Sequence, residues 1–278
     1  MSKFINPFTD VGFKRIFGQE ISKPVLIGFL NSLLVGERTI VDVKFLDKEQ
    51  LGITDEGRSL IYDIYCEIEG GGHIIVEMQN KYQPYFKNRS IYYLSRSISQ
   101  QGEKGATWKY DIKAVYLIAF LNFKLKDIST EFRTDVALSD LKTKELFSDK
   151  LRLIYLQLPY FEKEADECEN VFERLIYVLK NMDILNRMPW AAQDSVFQKL
   201  ASIAEVASLS KQERQLYDES LRQYRDTLVV MEGQYLEGEE KGRAEGKQEV
   251  ARMMKDNNVP AEQISLYTGL SIQDIENL

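Results

Sequence analysis

The stretch from Tyr62 to Gln79 constrains the fold of this chain more than any other. It reads YDIYCEIEGGGHIIVEMQ, two runs rich in Ile, Val and Tyr separated by three glycines. β-Branched and aromatic residues favour strands, and a glycine cluster between two such runs is typical of a hairpin turn. The sequence therefore predicts a β-hairpin that carries Asp63, Glu77 and Gln79 inside stretches otherwise suited to burial.

These polar residues are predicted to share one patch of the hairpin. With the turn centred on Gly70 or Gly71, the numbers of facing residues sum to 140–142, so Asp63 lies opposite a position between 77 and 79. Cross-strand neighbours lie about 5 Å apart. Two carboxylates at that distance repel unless a proton or a cation lies between them, and hard oxygen ligands with open positions suit Mg²⁺. The open alternative is a hairpin whose polar face simply meets solvent.

Composition and charge indicate a globular protein with two unlike halves. Hydrophobic residues make up 44% of the chain and charged residues 28%, which is ordinary for a globular protein. Residues 1–160 hold 22 basic and 20 acidic residues, whereas residues 161–278 hold 14 and 23. Between 79 and 113 there are seven basic residues and two acidic ones. The total charge of −7 argues against a general nucleic-acid binder, but this local excess suits phosphate contact.

Nothing in the sequence predicts export or a membrane span. The N-terminal segment MSKFINPFTD has no apolar core of a signal peptide. The longest apolar run, AVYLIAFLNF at 114–123, falls well short of the roughly 20 residues of a transmembrane helix. Cys66 and Cys168 lie far apart, so we expect reduced thiols in a cytoplasmic protein.

The first 160 residues are predicted to form an α/β domain. Helical patterns cover 10–35, with a break near FGQE, and 86–105, ended by Gly102 or Gly105. Residues 131–140 are predicted to form a more exposed strand or loop. Strand patterns occupy five further stretches: 39–46, 58–69, 72–79, 113–123 and 151–158.

From about residue 166 the patterns are helical. NVFERLIYVLKNM and DSVFQKLASIAEVASL are amphipathic and flank Pro189. We expect a helical extension over 161–210 and a third region over 211–278.

A long polar helix is predicted over 211–255. Gly238, Gly242 and Gly246 recur at four-residue spacing on one face, although each glycine costs a helix about 1 kcal/mol. The row indicates close approach of another helix and hence self-association. A loose, solvated helix is the alternative.

Two short helices around Gly269 are predicted in the tail, with Ser271 as the N-cap of the second. Residues 259–278 contain no Lys or Arg, so phosphate contacts are lacking and an oligomerisation or packing role is favoured.

The order of several motifs resembles the PD-(D/E)XK nuclease superfamily. An Asp is followed by Glu-x-Gln on the next strand and then by a helix with Arg and Tyr. The chain more closely resembles the Rpn family of recombination-promoting nucleases, PD-(D/E)XK-family transposases. The likeness covers most of the chain and is carried by NPFTDVGFKRIFG, LIGFLNSLL, YDIYCEIEGGGHIIVEMQ, RSIYYLSRSISQQ and EGEEKGRAEGKQEVA. It implies a restriction-endonuclease-like mixed sheet flanked by helices, followed by an all-helical C-terminal region.

The resemblance implies a Mg²⁺-dependent DNA endonuclease linked to recombination, mobile elements or phage defence, with Mn²⁺ able to substitute. Asp63, Glu77 and the carbonyl of Met78 match the family's metal ligands. Gln79 stands where the superfamily usually has Lys, although the Rpn-like branch commonly shows Gln. A neutral amide orients and hydrogen-bonds but brings no positive charge. The alternative function is therefore an inactive nuclease fold that binds DNA or protein and serves as an assembly module.

Two further residues are candidates for this site. Lys81 would share the face of Gln79 and supply the missing charge if the strand continues; otherwise it is a surface lysine. Asp10 resembles the acidic residue that a first helix often adds to such sites, and its other reading is the N-cap of helix 11–18.

Arg89, Tyr93 and Arg96 share one face of the following helix by their spacing and are candidates for clamping backbone phosphates. A solvated helix face is the alternative. His73 is the only histidine, which excludes a His-rich metal centre or a Ser–His–Asp triad. Its place at the turn predicts a surface residue.

Overall fold

The computed structural model describes residues 2–50, 60–102, 109–126 and 128–278. The chain divides into two compact units, Met1–Leu221 and Arg222–Leu278. The domain boundaries predicted at 160 and 210 stay predictions.

A mixed sheet of six strands forms the centre of the first unit. The strand order is β1-β4-β5-β6-β8-β7; β5, β6 and β8 run parallel, and the remaining pairs are antiparallel. A separate two-stranded sheet pairs β2 with β3. The strands are β1 (Val43–Phe45), β2 (Glu49–Gln50), β3 (Leu60–Ile61), β4 (Ile64–Ile68), β5 (His73–Gln79), β6 (Val115–Leu121), β7 (Arg133–Ser139) and β8 (Leu146–Gln157).

The helices begin where the sequence supplies caps. Thr9 accepts a hydrogen bond from the N–H of Gly12, and Pro24 lies in the first turn of the second helix. The predicted break near FGQE is confirmed by a short 3₁₀ turn at Glu20–Ser22. The helices are α1 (Asp10–Phe17), α2 (Lys23–Leu33), α3 (Phe86–Ser99), α4 (Val171–Asn181), α5 (Ser195–Ala204), α6 (Lys211–Asp256), α7 (Ala261–Thr268) and α8 (Ile272–Glu276).

Helices cover both faces of the sheet, as β6 shows. Every residue of this strand is buried. Phe120 packs its ring against Phe13 of α1 and Phe29 of α2. Because side chains alternate along a strand, Leu117 points to the opposite face, where it joins a core that includes Leu94 of α3. The predicted mixed sheet flanked by helices, with a helical C-terminal region, is confirmed.

The predicted strand 58–69 is interrupted in the structure. It breaks at Tyr62 and Asp63, and the N–H of Tyr62 donates to the carbonyl of Lys48. The chain before the break therefore follows β2 in the small sheet, and only β4 joins the main sheet. Residues 58 and 59 lie outside the described residues. The strand predicted at 39–46 shortens to β1.

Helix α3 ends earlier than the predicted 86–105. Its last residue is Ser99, so Gly102 does not end it, and Gly105 lies outside the described residues. The side-chain amide of Gln101 bonds both backbone groups of Lys113, at 2.7 and 3.2 Å. These bonds hold the chain after α3 beside Lys113, two residues before the start of β6.

The remaining helices of the first unit agree with the amphipathic patterns. Side chains of Asn170 and Asp194 cap α4 and α5. The first turns of α6 hold the N-terminal segment: Asn6 donates its N–H to the hydroxyl of Tyr217 at 2.8 Å.

The second unit contains the rest of α6 and the tail. Gly269 ends α7 with φ +71°, and Ser271 caps α8, so both predictions for the tail are confirmed. The space where side chains would stand at Gly238, Gly242 and Gly246 is open. Self-association through this row stays a prediction. None of the helices in the described ranges combines the length and apolar character that crossing a membrane requires.

Candidate active site

The β4–β5 hairpin brings Asp63 and Glu77 side by side. Ile64 faces Val76 in the ladder, so one step further Asp63 faces Glu77, within the predicted register. The N–H of Asp63 donates to Oε1 of Glu77 at 3.3 Å, and the N–H of Met78 donates to Oδ2 of Asp63 at 2.8 Å. The interruption of the strand at Asp63 makes this possible, because the Asp63 side chain then accepts a hydrogen bond from a backbone N–H of β5.

Glu77 and Gln79 are buried and Asp63 is partly buried, unlike the alternative of a hairpin face open to solvent. Glu77 is 1% exposed and Gln79 is 8% exposed. Burial raises the pKa of Glu77, and repulsion from Asp63 raises it further. Burial also raises the pKa of Asp63, more than its bond from Met78 lowers it. The two carboxylates thus resist carrying two negative charges, and a cation between them would relieve that cost.

Glu77 belongs to a closed ring of polar side chains. We name its four members, Glu77, Gln79, Gln83 and Arg89, the polar ring. Gln79 donates Nε2–H to Oε2 of Glu77 at 3.2 Å, and Gln83 donates Nε2–H to Oε1 of Gln79 at 3.1 Å. Arg89 donates Nη1–H to Oε1 of Gln83 at 3.2 Å and places Nη2 3.6 Å from Oε2 of Glu77. The ring fixes which end of each amide faces which neighbour.

Tyr93 supports Arg89 from beneath. It is 7% exposed, its hydroxyl accepts Nε–H of Arg89 at 2.8 Å, and the guanidinium lies 4.8 Å from the centre of its ring. Arg96 is partly buried and acts electrostatically on Tyr62. Of the three helix residues predicted to clamp phosphates, Arg89 and Tyr93 therefore lie near the pair, with Arg89 turned toward Glu77. Their contact with phosphate stays a prediction.

A second group of charges lies on the side of Asp63. Asp10 follows the N-cap Thr9, which corrects the alternative that Asp10 itself caps the helix, and it pairs with Lys14 at 2.6 Å. Both act electrostatically on Asp63. Lys48 is partly buried, and Lys14, Asp10 and Asp63 act on it electrostatically. Burial lowers the pKa of Lys48 most, and repulsion from Lys14 lowers it further. The role of Asp10 in the site stays a prediction.

Lys81 does not meet the condition for sharing the face of Gln79. Strand β5 ends at Gln79, and Lys81 is exposed. Its role in the site was conditional on a longer strand, and the geometry favours the surface lysine.

Sequence reasoning missed three residues near the pair. Lys14 carries a usable signal, since it stands four residues after Asp10 on a helix. Gln83 and Lys48 lie outside regular helices and strands, in turns whose course no local pattern specifies.

His73 is not the surface residue that its place at the turn predicted. It begins β5, and its Nδ1 lies 3.0 Å from the hydroxyl of Tyr65 and 3.2 Å from Oγ of Ser97. Burial lowers its pKa. The cause is α3, which covers this end of the hairpin.

The donor set suits a hard divalent cation. Asp63 and Glu77 offer carboxylate oxygens, and Mg²⁺ commonly takes one or two carboxylates while keeping waters and substrate phosphate. The described residues contain no group of three or more His, Cys, Asp or Glu placed to hold a metal. A cation here would thus rely on the pair, a backbone carbonyl such as that of Met78, and its own water.

The sheet and the acidic pair on its central hairpin define a protein of the PD-(D/E)XK nuclease type. The model of the PD-(D/E)XK nuclease family transposases matches residues 7–234, so the chain belongs to that family. The resemblance seen in the sequence is confirmed, and membership supports a nuclease-like function with DNA as the implied substrate. No match was found among curated proteins or among solved structures.

Proposed function

We propose that this protein is a Mg²⁺-dependent DNA endonuclease that hydrolyses phosphodiester bonds. The observation that carries the proposal is the pair formed by the partly buried Asp63 and the buried Glu77, whose pKa values are both raised. Perturbed carboxylates in a family of nucleases point to a site built for a cation. Mn²⁺ substitutes for Mg²⁺ in this proposal, because it accepts the same oxygen ligands.

Each residue of the site has a role in this mechanism. Asp63, Glu77 and the carbonyl of Met78 would hold the cation, which supplies Lewis acidity toward water and the scissile phosphate. Gln79 offers amide hydrogens that orient a water near the pair, because its Nε2 already points to Glu77. Lys14 and Lys48 place positive charge beside Asp63, where a DNA phosphate would approach.

Contacts to the DNA backbone fall to the helix after the hairpin. Arg89, Tyr93 and Arg96 share its face, and the basic excess between residues 79 and 113 extends this surface. Phosphate contacts release counterions, so binding should weaken steeply as salt rises.

Cleavage of supercoiled plasmid tests the proposal. The wild type should nick the plasmid with Mg²⁺ or Mn²⁺ and lose that activity in EDTA. Asp63→Asn keeps the size of the side chain and its acceptor for Met78, yet should reduce nicking roughly 100-fold or more, beyond the 10- to 100-fold typical of lost outer-sphere partners. Asp149→Asn, at an exposed position of β8, is the matched control. Nicking by the wild type without divalent metal would refute this mechanism.

The second candidate is an inactive nuclease fold that binds DNA or another protein. It is favoured by the neutral Gln79 and by Glu77, both of whose oxygens already accept hydrogen bonds. A folded wild type that binds DNA but neither cuts it nor binds Mn²⁺ would support this candidate.

The biological setting and the assembly belong to the same proposal. We assign the activity to recombination, mobile elements or phage defence in the cytoplasm, on the strength of the family. Self-association through residues 211–255 would bring two sites onto one DNA. Light scattering checks it: a mass of one chain, 32.3 kDa, at high concentration would remove this part.

A further inference from the structure

Because Gln79 is neutral, it supplies no positive charge to offset the two carboxylates of this site. A lysine at that position would lie beside the acidic pair and bring a full charge, whereas an amide brings none. The two carboxylates carry a formal charge of −2 when both are ionised, and Glu77 is 1% exposed.

Arg89 places a cation where it can meet that need. Nη2 of its guanidinium lies 3.6 Å from Oε2 of Glu77, which is a buried side chain. Tyr93 fixes it twice, by a hydrogen bond to its hydroxyl and by stacking on its ring. A guanidinium held in this way keeps its position without further ordering when a ligand binds.

Gln83 connects this cation to Gln79. Because Arg89 can only donate, it fixes the oxygen of Gln83 toward itself, which turns the amide nitrogen of Gln83 to the oxygen of Gln79. The nitrogen of Gln79 is then left for Glu77. The orientation of Gln79 is thus set from Arg89 through one intermediate amide.

We propose that Arg89 supplies the positive charge that Gln79 lacks, and that Gln83 is a positioning residue that fixes the amide of Gln79. This inference rests on the proposed nuclease function and deepens it. The polar ring replaces one lysine by a separate charge and a separate hydrogen-bond donor. Lys81 is exposed, and Lys14 and Lys48 act on the side of Asp63, so none of them takes this place beside Glu77.

Transferring the positive charge from position 89 to position 79 tests the inference. Arg89→Gln should reduce plasmid nicking about 10- to 100-fold, mainly in kcat, and adding Gln79→Lys to it should restore at least a tenth of the wild-type rate. A purely structural role of Arg89 predicts no rescue, since a lysine at 79 rebuilds none of its packing on Tyr93. Arg174→Gln is the matched control, because Arg174 also stacks on an aromatic ring, that of Trp190.

Affinity for Mn²⁺, measured by calorimetry, gives a readout independent of cleavage. Removing the charge of Arg89 should tighten Mn²⁺ binding by about 3- to 10-fold, since a competing cation leaves the pair. The double variant should return to near the wild-type affinity. A purely structural loss would weaken binding or leave it unchanged.

Variants of Gln83 separate its role from that of Arg89. Gln83→Met breaks both bonds, and Gln83→Glu keeps the acceptor for Arg89 but loses the donor to Gln79. Both should lower kcat about tenfold with KM within twofold of the wild type, while Mn²⁺ affinity in Gln83→Met stays within about twofold.

The outcomes separate the two proposals. Absence of cleavage by the wild type refutes the nuclease function, and the Mn²⁺ affinities then still decide the charge assignment. Cleavage by the wild type with an unimpaired Arg89→Gln, or with an impaired Arg89→Gln that Gln79→Lys fails to rescue, overturns the inference and leaves the nuclease function standing.

Discussion

Two clusters of charged residues on the same sheet are built in opposite ways. At the outer strands, Arg152 bonds Glu37 and Asp135, and Arg133 bonds Asp135 as well. Burial alone would raise the pKa of Asp135, but the hydrogen bonds from Arg133 and Arg152 outweigh it and lower that pKa. At the central hairpin, the pKa values of both carboxylates are raised.

The difference separates a structural cluster from a candidate functional one. The cluster around Arg152 contains two cations and two anions, and each charge has its partner within the fold. In the acidic pair, Glu77 has the guanidinium of Arg89 at 3.6 Å, and Asp63 accepts the N–H of Met78 and is acted on by Lys14, yet burial still raises the pKa of both carboxyls. A fold that brings two carboxylates together where burial raises both of their pKa values accepts a cost in stability, which a bound cation would repay.

The largest expected effect is on catalysis. Glu77→Gln removes a charged ligand from the pair, so nicking should fall roughly 100-fold or more, with the fold retained. Rates are compared with those of Glu69→Gln, an exposed position of the same hairpin. Equal rates in Glu77→Gln and the wild type would show that the pair does not hold the catalytic cation.

Stability without metal should depend on the pair with a defined sign. Because the folded-state pKa values of Asp63 and Glu77 are raised, their contribution is fully present below the unfolded values, near pH 4, and is lost as pH rises through the folded values. In EDTA, Asp63→Asn should therefore become more stable relative to the wild type with rising pH, by about 1–3 kcal/mol. Urea unfolding at several pH values checks this. A difference that stays constant with pH would contradict the raised pKa values.

The structural cluster should respond in the opposite direction. Arg152→Met leaves Asp135 and Glu37 short of a partner and should lower the free energy of unfolding at neutral pH by about 1–2 kcal/mol, because the group is partly exposed. The pKa of Asp135 is lowered, so this loss should shrink as pH falls through that value. Lys150→Met, exposed on the same strand, is the control. Nicking per folded molecule should not change.

The smallest expected effect is that of salt on the free energy of unfolding, and it should differ between the two clusters. Raising the salt concentration screens exposed charges more than buried ones. In high salt, the stability difference between the wild type and Arg152→Met should shrink by less than about 0.5 kcal/mol. The stability difference between the wild type and Asp63→Asn should shrink by a smaller amount. Unfolding at two salt concentrations measures both differences. A larger salt effect on Asp63→Asn would place the pair in solvent.

Much of the fold could be predicted because its signals are local. The glycine turn indicated the hairpin and a register with Asp63 opposite a position between 77 and 79, which the structure narrows to Glu77, and Gly269 with Ser271 indicated the tail. Boundaries failed where distant residues compete with local pattern. The N–H of Tyr62 donates to the carbonyl of Lys48, which takes the chain out of the predicted strand. Beyond the end of α3, the side chain of Gln101 accepts the N–H of Lys113, a contact that no local pattern indicates.

The site was predictable only in part, for a related reason. Asp63, Glu77 and Gln79 lie on one hairpin, so alternation and register suffice to bring them together. Gln83 and Lys48 reach the pair through turns, whose course depends on the packing of α3 and on the small sheet. The partial burial of His73 likewise follows from α3 and has no signal within the hairpin itself.

Calorimetric titration of Mn²⁺ into the wild type and Asp63→Asn decides whether the acidic pair is a cation site. Binding should occur with one ion per chain in the wild type and should be lost in Asp63→Asn. It should release protons near neutral pH, since the pKa of Glu77 is raised to about 8 by burial and by Asp63. Mn²⁺ binding that is absent in the wild type, or equally strong in Asp63→Asn, would contradict the assignment of this hairpin as the cation site.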